Sequence, residues 1–295
     1  MANLLGPATD GPARLRALLA QDDGPVVAPG AYDALSARLV EAAGFPAVYM
    51  TGFGVTASLI GRPDVGLLTM TEMTQTARRI RSAVDVPVIA DADTGYGNAL
   101  NVIRTVGEYE AAGVAGIHLE DQVAPKRCGH LEGKEVIAAG TMVDRIRAAV
   151  AARRNPDFLL IARTDARAVE GLAAAIERGK RYRDAGADML FVEAPQSDAE
   201  IETVATELAG VPLLFNWAEG GRTPPTSLAR LRELGFALVI CPIAALLAAT
   251  RAVREVVARI AEDGTPVNVV DSLPEFTEFA GIGEVEDIGR EYGRG

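Results

Sequence analysis

The sequence predicts a (β/α)8 barrel of the TIM type, a single α/β domain over residues 1–295 with a C-terminal helical extension from about residue 262. Three observations carry this expectation. Eight short, β-rich apolar runs alternate with longer helical patterns. The runs are almost continuously apolar, as parallel strands covered on both faces must be. Glycine recurs just past the helical patterns, at Ala42-Ala43-Gly44, Ala111-Ala112-Gly113, Asp184-Ala185-Gly186 and Glu233-Leu234-Gly235. Glycine there takes the left-handed conformation that closes a helix. A doubly wound open sheet is the alternative architecture. It lacks its usual support, since no GxGxxG follows the first strand and no GxxxxGK[ST] occurs.

In chain order, a strand at Pro25–Ala28 precedes a helix at Ala31–Ala43, and a strand at Ala47–Thr51 precedes a helix at Thr71–Ala83. Strands at Val86–Asp91 and Val114–Glu120 lead to helices at Asn98–Ala112 and Thr141–Arg153. Strands at Phe158–Arg163 and Met189–Glu193 lead to helices at Gly171–Ala185 and Ser197–Leu208. The last two strands, Val211–Asn216 and Ala237–Cys241, lead to helices at Ser227–Leu234 and Ala244–Ala261. The first ~10 residues and the glycine-rich stretch after Phe279 read as loose. Leu273 to Ile288 is acidic and amphipathic, suited either to a neighbouring subunit or to capping its own barrel.

Composition narrows the partners. A net charge of −11 argues against nucleic acid and anionic membranes, and 5% aromatic residues argue against base stacking. The longest apolar run, Phe236 to Ala249, has 14 residues and contains Pro242, too short for a membrane span. No signal peptide is visible at the N-terminus. Two cysteines make no disulfide framework, so the expected location is the cytoplasm.

In such barrels the chemistry sits at the C-terminal strand ends. Those ends read Thr51-Gly52, Asp91-Ala92-Asp93, His118-Leu119-Glu120-Asp121, Arg163-Thr164-Asp165, Glu193, Asn216 and Cys241-Pro242. Strand alternation puts Asp91 and Asp93 on one face, and likewise His118 and Glu120. Several carboxylates around one mouth point to a hard cation with oxygen ligands, and Mg2+ fits because it keeps several waters and needs few carboxylates. The plainer alternative is that these acids cap helices or pair with Arg163 and Lys126. Arg163 suits an anion clamp, with a salt bridge to Glu193 or Asp165 as its structural alternative. His118 reads as a hydrogen-bonded interior histidine, Trp217 as pocket lining or rim packing, and Cys241 as core.

The segment Lys126-Arg127-Cys128-Gly129-His130 holds one of the two cysteines and one of the two histidines. Cations that close are expected to lower a thiol pKa, which makes Cys128 a candidate nucleophile; a surface loop with a stray cysteine is the alternative.

These strand ends and this loop resemble the isocitrate lyase / phosphoenolpyruvate mutase superfamily, roughly from Val26 to Ile260. The motifs are Asp91-Ala92-Asp93-Thr94-Gly95-Tyr96-Gly97, His118-Leu119-Glu120-Asp121-Gln122, Lys126-Arg127-Cys128-Gly129-His130 and Ala162-Arg163-Thr164-Asp165. Leu131-Glu132-Gly133-Lys134, Phe191-Val192-Glu193-Ala194-Pro195 and Glu219-Gly220-Gly221 resemble the branch holding 2-methylisocitrate lyase, 2,3-dimethylmalate lyase, the petal death protein and carboxyphosphonoenolpyruvate mutase. The resemblance implies that Asp91 and Asp93 hold Mg2+ (with Mn2+ as a substitute), and that Asp64 and Glu120 act through bound waters. It implies that Thr51, Gly52 and Phe53 bind an oxo-acid carboxylate by backbone amides. Arg163 would bind the substrate, with Glu193, Asn216, Gly129 and His130 alongside. Cys128 would ride a mobile loop and protonate a carbanion, with Arg163 and Glu120 as its catalytic companions. The family barrel swaps its last helix between subunits, usually in a homotetramer built from dimers.

The implied activity is Mg2+-dependent cleavage of a 2-hydroxy di- or tricarboxylate, of 2-methylisocitrate or 2-alkylmalate type, to an α-oxo acid such as pyruvate plus a carboxylic acid. A carboxyphosphonoenolpyruvate phosphonomutase, an oxaloacetate hydrolase or decarboxylase, and a non-catalytic oxo-acid binding protein are the alternatives. Pro242 stands where the oxaloacetate hydrolases tend to carry Ser, which lowers that reading. Trp217 and Cys241 depart from the family pattern and bear on the choice of substrate.

Overall fold

The computed structural model describes residues 10–21, 23–264 and 272–293. Eight parallel strands close into a barrel in sequence order. They are β1 (Val26–Ala31), β2 (Val48–Met50), β3 (Val88–Asp91), β4 (Gly116–Glu120), β5 (Leu159–Thr164), β6 (Met189–Val192), β7 (Leu213–Asn216) and β8 (Phe236–Cys241). The helices are α1 (Gly11–Leu19), α2 (Ala34–Ala42), α3 (Gly52–Ile60), α4 (Met70–Ala83), α5 (Ala99–Ala111), α6 (Ala139–Ala152) and α7 (Ala166–Val169). The rest are α8 (Leu172–Asp184), α9 (Asp198–Glu207), α10 (Leu228–Glu233), α11 (Ala244–Asp263), α12 (Leu273–Ala280) and α13 (Ile282–Tyr292). The barrel expectation holds, and the open sheet is excluded by the pairing of β1 with β8.

The sequence signals act where they were read. The four glycines expected to stop helices hold φ between 78° and 103°. Asp33 and Ser36 form a reciprocal capping box at the start of α2, and Thr69 with Glu72 does so at α4. Two differences stand out at β1 and α2. Pro29-Gly30 does not end the strand, which runs on to Ala31, and the helix starts later. Gly30 explains why: a Cβ there would lie 2.2 Å from the Pro242 carbonyl oxygen, so only glycine lets β1 continue so close to the end of β8.

Alternation divides the core into two layers. Inward residues such as Ala28, Tyr49, Ile89, Ile161 and Leu238 fill the barrel, while outward ones such as Ile117, Leu160, Leu190 and Val239 meet the helices. The helix α1, which the sequence reading passed over, closes the floor. Its Leu15 is fully buried among the inward residues, and Arg16 donates to the Asp157 carbonyl at 3.1 Å and pairs with Asp188 at 3.0 Å. The floor is thus plugged, and the opposite end stays open for a site.

The C-terminal extension is two helices rather than one amphipathic stretch, because Gly281 takes φ 94° between α12 and α13. Arg38 of α2 donates to the carbonyls of Phe279 and Ala280 at 2.7 and 2.9 Å and stacks over the Phe279 ring. Residues 1–9, read as loose, lie outside the described residues, as does part of the extension at residues 265–271.

Replacing Leu15 by Ala empties the floor of the barrel and is expected to cost about 2–5 kcal/mol. A urea melt followed by circular dichroism checks this; a midpoint equal to wild type contradicts the plugging role.

Candidate active site

The C-terminal strand ends open onto a cavity of about 250 Å3. Nearly every sequence-predicted residue reaches it or its wall. Thr51, Phe53, Asp64, Asp91, Cys128, Gly129, His130, Arg163, Glu193 and Asn216 line it. Gly52 packs against Asp91 directly beneath it, while Asp93 and Glu120 lie buried behind the wall.

The second strand hands over to α3 at this cavity. Thr51 caps the helix, its hydroxyl accepting from the Gly54 N–H at 3.2 Å. The first amides of α3 therefore point their free N–H groups at the cavity, a ready anion site. Residue 52 must be glycine for this, since a Cβ would lie 2.4 Å from Asp91 Oδ2.

The acids do not close on one point as a four-carboxylate cage. Lys126 Nζ sits between Asp64 Oδ2 at 2.6 Å and Asp93 Oδ1 at 2.8 Å. Among the described residues no three His, Cys, Asp or Glu side chains converge at ligand spacing. Asp91 accepts from the Asp93 N–H through Oδ1 at 2.9 Å and turns its carboxylate to the cavity. Both Glu120 carboxyl oxygens are buried without a hydrogen bond, and burial pushes this group well above the usual carboxylate range even with Arg163 Nε 3.3 Å away. Burial, with Asp91 and Asp64 close by, also pushes Asp93 up to about 6. The mouth thus carries more buried carboxylates than its cations can hold ionised. An oxygen-only, water-rich ion such as Mg2+ fits these residues, needing one or two carboxylates and completing its shell with water.

Arg163 is the central cation. It binds Asp165 bidentately, Nε to Oδ2 at 2.9 Å and Nη2 to Oδ1 at 3.1 Å, and stacks over Phe191. Asp165 is the salt-bridge partner foreseen for it; Glu193 lies farther off at 3.9 Å. Glu193 instead takes His130 Nε2 at 3.0 Å and the Asn216 amide at 3.2 Å. Burial would raise Glu193, but Arg163 and His130 hold it well below the ordinary carboxylate range. His118 is the interior histidine expected: fully buried, stacked on Tyr49 and hydrogen-bonded to its hydroxyl at 2.7 Å. Burial pushes its pKa down to about 4, so it is neutral.

Two expectations are corrected. The cations flanking Cys128 do not activate it. Lys126 turns to Asp64 and Asp93, Arg127 reaches back to the Glu132 carbonyl, and burial pushes the thiol up to about 11. Cys128 is therefore a protonated thiol near neutral pH, suited to donating a proton and not to nucleophilic attack. Trp217 packs against the outer layer, one of the two places expected for it, and Cys241, expected in the core, is only half-buried at the end of β8. Neither lines the cavity; their neighbours Asn216, Ile240 and Pro242 do. The sequence reading also passed over Tyr49 and Ile243 of the cavity wall, and Lys134 below it. Tyr49 was findable, since it shares a face with Thr51 two residues on; Lys134 stands in the Leu131-Glu132-Gly133-Lys134 motif, but nothing local marks its role.

A family model described as phosphoenolpyruvate phosphomutase matches residues 15–261. The chain is 48% identical to 2,3-dimethylmalate lyase of Eubacterium barkeri over 286 residues, covering 96% of this chain and 98% of that protein. It is 45% identical to a probable 2-methylisocitrate lyase of Corynebacterium glutamicum, covering 97% and 94%. The crystal structure of a 2,3-dimethylmalate lyase, described as a PEP mutase/isocitrate lyase superfamily member, superposes with a TM-score of 0.92 at 43% identity, covering 97% of each chain.

In a Cys241→Ser background, iodoacetamide should alkylate Cys128 at pH 7.5 at least about tenfold more slowly than an ordinary thiol. The rate should climb with a midpoint near 11. A midpoint near the ordinary value of about 8.5 contradicts the burial argument.

Proposed function

This chain belongs to the phosphoenolpyruvate phosphomutase family and is an enzyme of the isocitrate lyase/phosphoenolpyruvate mutase superfamily; on that premise we propose that it is a Mg2+-dependent carbon–carbon lyase. Its substrate is an alkylated 2-hydroxy di- or tricarboxylate of 2-alkylmalate or 2-methylisocitrate type. The observation that carries this reading is the half-buried, protonated Cys128 thiol lining the same cavity as Asp91, Arg163 and the start of α3.

The amides of Gly52 and Phe53 hold the carboxylate of the α-oxo fragment at the positive end of α3. Arg163, fixed by Asp165, presents its guanidinium plane to the second carboxylate. Asp91 would hold a Mg2+ ion, with Asp93, Asp64 and Glu120 behind it, and the ion would supply Lewis-acid stabilisation of a developing oxyanion. A base at the mouth takes the hydroxyl proton, the C–C bond opens in a retro-aldol sense with its electron pair left on the second fragment, and the α-oxo acid leaves; that proton equivalent later restores the thiol. The other fragment is a carbanion conjugated to its carboxylate. Cys128 gives it a proton, a role a thiol held near 11 can fill at neutral pH. His130, anchored on Glu193, and Gly129 close the roof. The far wall, Ile240, Pro242 and Ile243, is apolar and carries no hydroxyl; it accommodates alkyl branches and gives no help to hydrolysis.

We further propose a cytoplasmic homotetramer with its last helices exchanged between subunits. In support, α11 buries none of its residues and exposes Val253 and Val257, and both cysteines are free. No helix among the described residues is long and apolar enough to cross a membrane.

With Mg2+ present, 2-alkylmalates or 2-methylisocitrate should release pyruvate at least about tenfold faster than oxaloacetate is consumed. Cys128→Ser should lower kcat by about 100-fold or more while oxalate binds within about threefold of wild type. No turnover of any acid in the panel, or a binding loss equal to the rate loss, overturns the reading.

A further inference from the structure

Lys134 lies outside the cavity, yet its side chain is almost wholly buried, 2% exposed beside an Asp165 with none. Burying a lysine ammonium is costly unless it is paired and fully hydrogen-bonded. Its Nζ donates to Asp165 Oδ1 at 2.8 Å and also to the backbone carbonyl of Gly129, the residue after Cys128. Asp165 is the same carboxylate that fixes Arg163 through both of its oxygens. One buried acid thus holds the substrate-side guanidinium and, through Lys134, the thiol-bearing loop.

The rest of the loop shows what this contact achieves. Gly129 is drawn so far down that a Cβ would lie 2.3 Å from Glu193 Oε1 and 2.5 Å from Arg163 Nη2. The other inward ties are Lys126 to Asp64 and Asp93 at 2.6 and 2.8 Å, His130 to Glu193 at 3.0 Å, the Cys128 N–H to the Asp64 carbonyl at 3.2 Å and the paired hydrogen bonds between Gln122 and Arg127 at 2.8 and 2.9 Å. Toward solvent, the Glu132 carboxylate pairs with the exposed Arg222 at 3.0 Å. Two buried lysines thus tie the loop down, one on each side of the thiol, and Lys134 is the one that reaches the backbone of the residue next to the sulfur and shares its acid with Arg163.

We infer that Lys134 is a positioning residue: a buried latch that holds the Cys128 loop down on the carboxylate that orients Arg163, so that the proton donor and the anion clamp are set by one group. The kinetic side of this inference rests on the lyase reading; the structural side does not. Lys134 touches no substrate, so its loss leaves binding largely in place and lowers the chance that the thiol is at its station when the carbanion forms.

The test uses the full chain with Cys241→Ser as background, comparing Lys134→Met and Lys134→Arg. Circular dichroism and a thermal melt establish that each variant is folded. Lys134→Met should raise iodoacetamide labelling of Cys128 by about tenfold or more, because the loop opens and the sulfur becomes accessible to the reagent. It should lower kcat by about tenfold or more with KM within about threefold. Lys134→Arg, which can still bridge Asp165 and the Gly129 carbonyl, should restore both to within about threefold of the background. Labelling unchanged within about twofold in folded Lys134→Met, or in Lys134→Gln where the Met variant fails to fold, overturns the latch. So does a loss confined to KM. If labelling rises as expected but the unmodified chain cleaves no acid, the latch stands and the lyase reading fails.

Discussion

The structure turns on the balance of buried charge at the open end of the barrel. Asp64, Asp91, Asp93, Glu120, Asp165 and Glu193 are all buried there, against three buried cations, Lys126, Lys134 and Arg163. An ionised group taken from water costs several kcal/mol unless it is paired and hydrogen-bonded. Each cation is therefore shared. Lys126 spans Asp64 and Asp93, and Arg163 reaches Asp165 and Glu120. The positions of the thiol loop, the anion clamp and the acids facing the cavity follow from this sharing. What the sharing leaves over is Asp91, which meets no lysine or arginine among the described residues, and Glu120, which lies near Arg163 but has no hydrogen bond to either oxygen. A divalent ion at the mouth, as proposed, would relieve that excess.

The same economy extends outward through the barrel wall. Asp121 stands behind β4 and β5 and accepts from the Thr164 hydroxyl at 2.7 Å, the Asp165 N–H at 2.9 Å, the Tyr182 hydroxyl at 2.7 Å and Arg178 at 3.1 Å. It fixes the backbone from which Arg163 and Asp165 project. A functional group in such a barrel is only as well placed as the strand end that carries it, and here that end is held by a satisfied polar cluster and not by packing alone. The floor plug and the outer helices then set the barrel without entering the chemistry.

The barrel and most of its mouth were legible in the sequence because period-two alternation and glycine stops are local signals. Asp91, Glu120, Arg163, Glu193 and Asn216 were found by asking which polar residues end apolar runs. The same alternation, applied one step further, would have turned Trp217 and Cys241 away from the cavity. α3 was hidden because two glycines in nine residues suppress helical propensity, and only the Thr51 cap and the burial of its first turn recover it. The thiol was misread for a different reason. Lys126 is two residues from Cys128 in sequence, but the direction of its side chain is decided by Asp64, 62 residues earlier. Charge near a group in sequence says little about charge near it in space. Lys134 escaped notice likewise, since its partner Asp165 lies 31 residues on.

The proposed divalent ion would meet the excess of buried carboxylates at the mouth. Crystals of the Cys128→Ser protein grown with Mn2+ and oxalate, examined by anomalous diffraction, test this most directly. A single strong anomalous peak is expected in the cavity, within about 2.5 Å of an Asp91 carboxylate oxygen or one water beyond it, with oxalate reaching the amides of Gly52 and Phe53. No peak in the cavity, or one remote from Asp91 with oxalate bound in its absence, would contradict it.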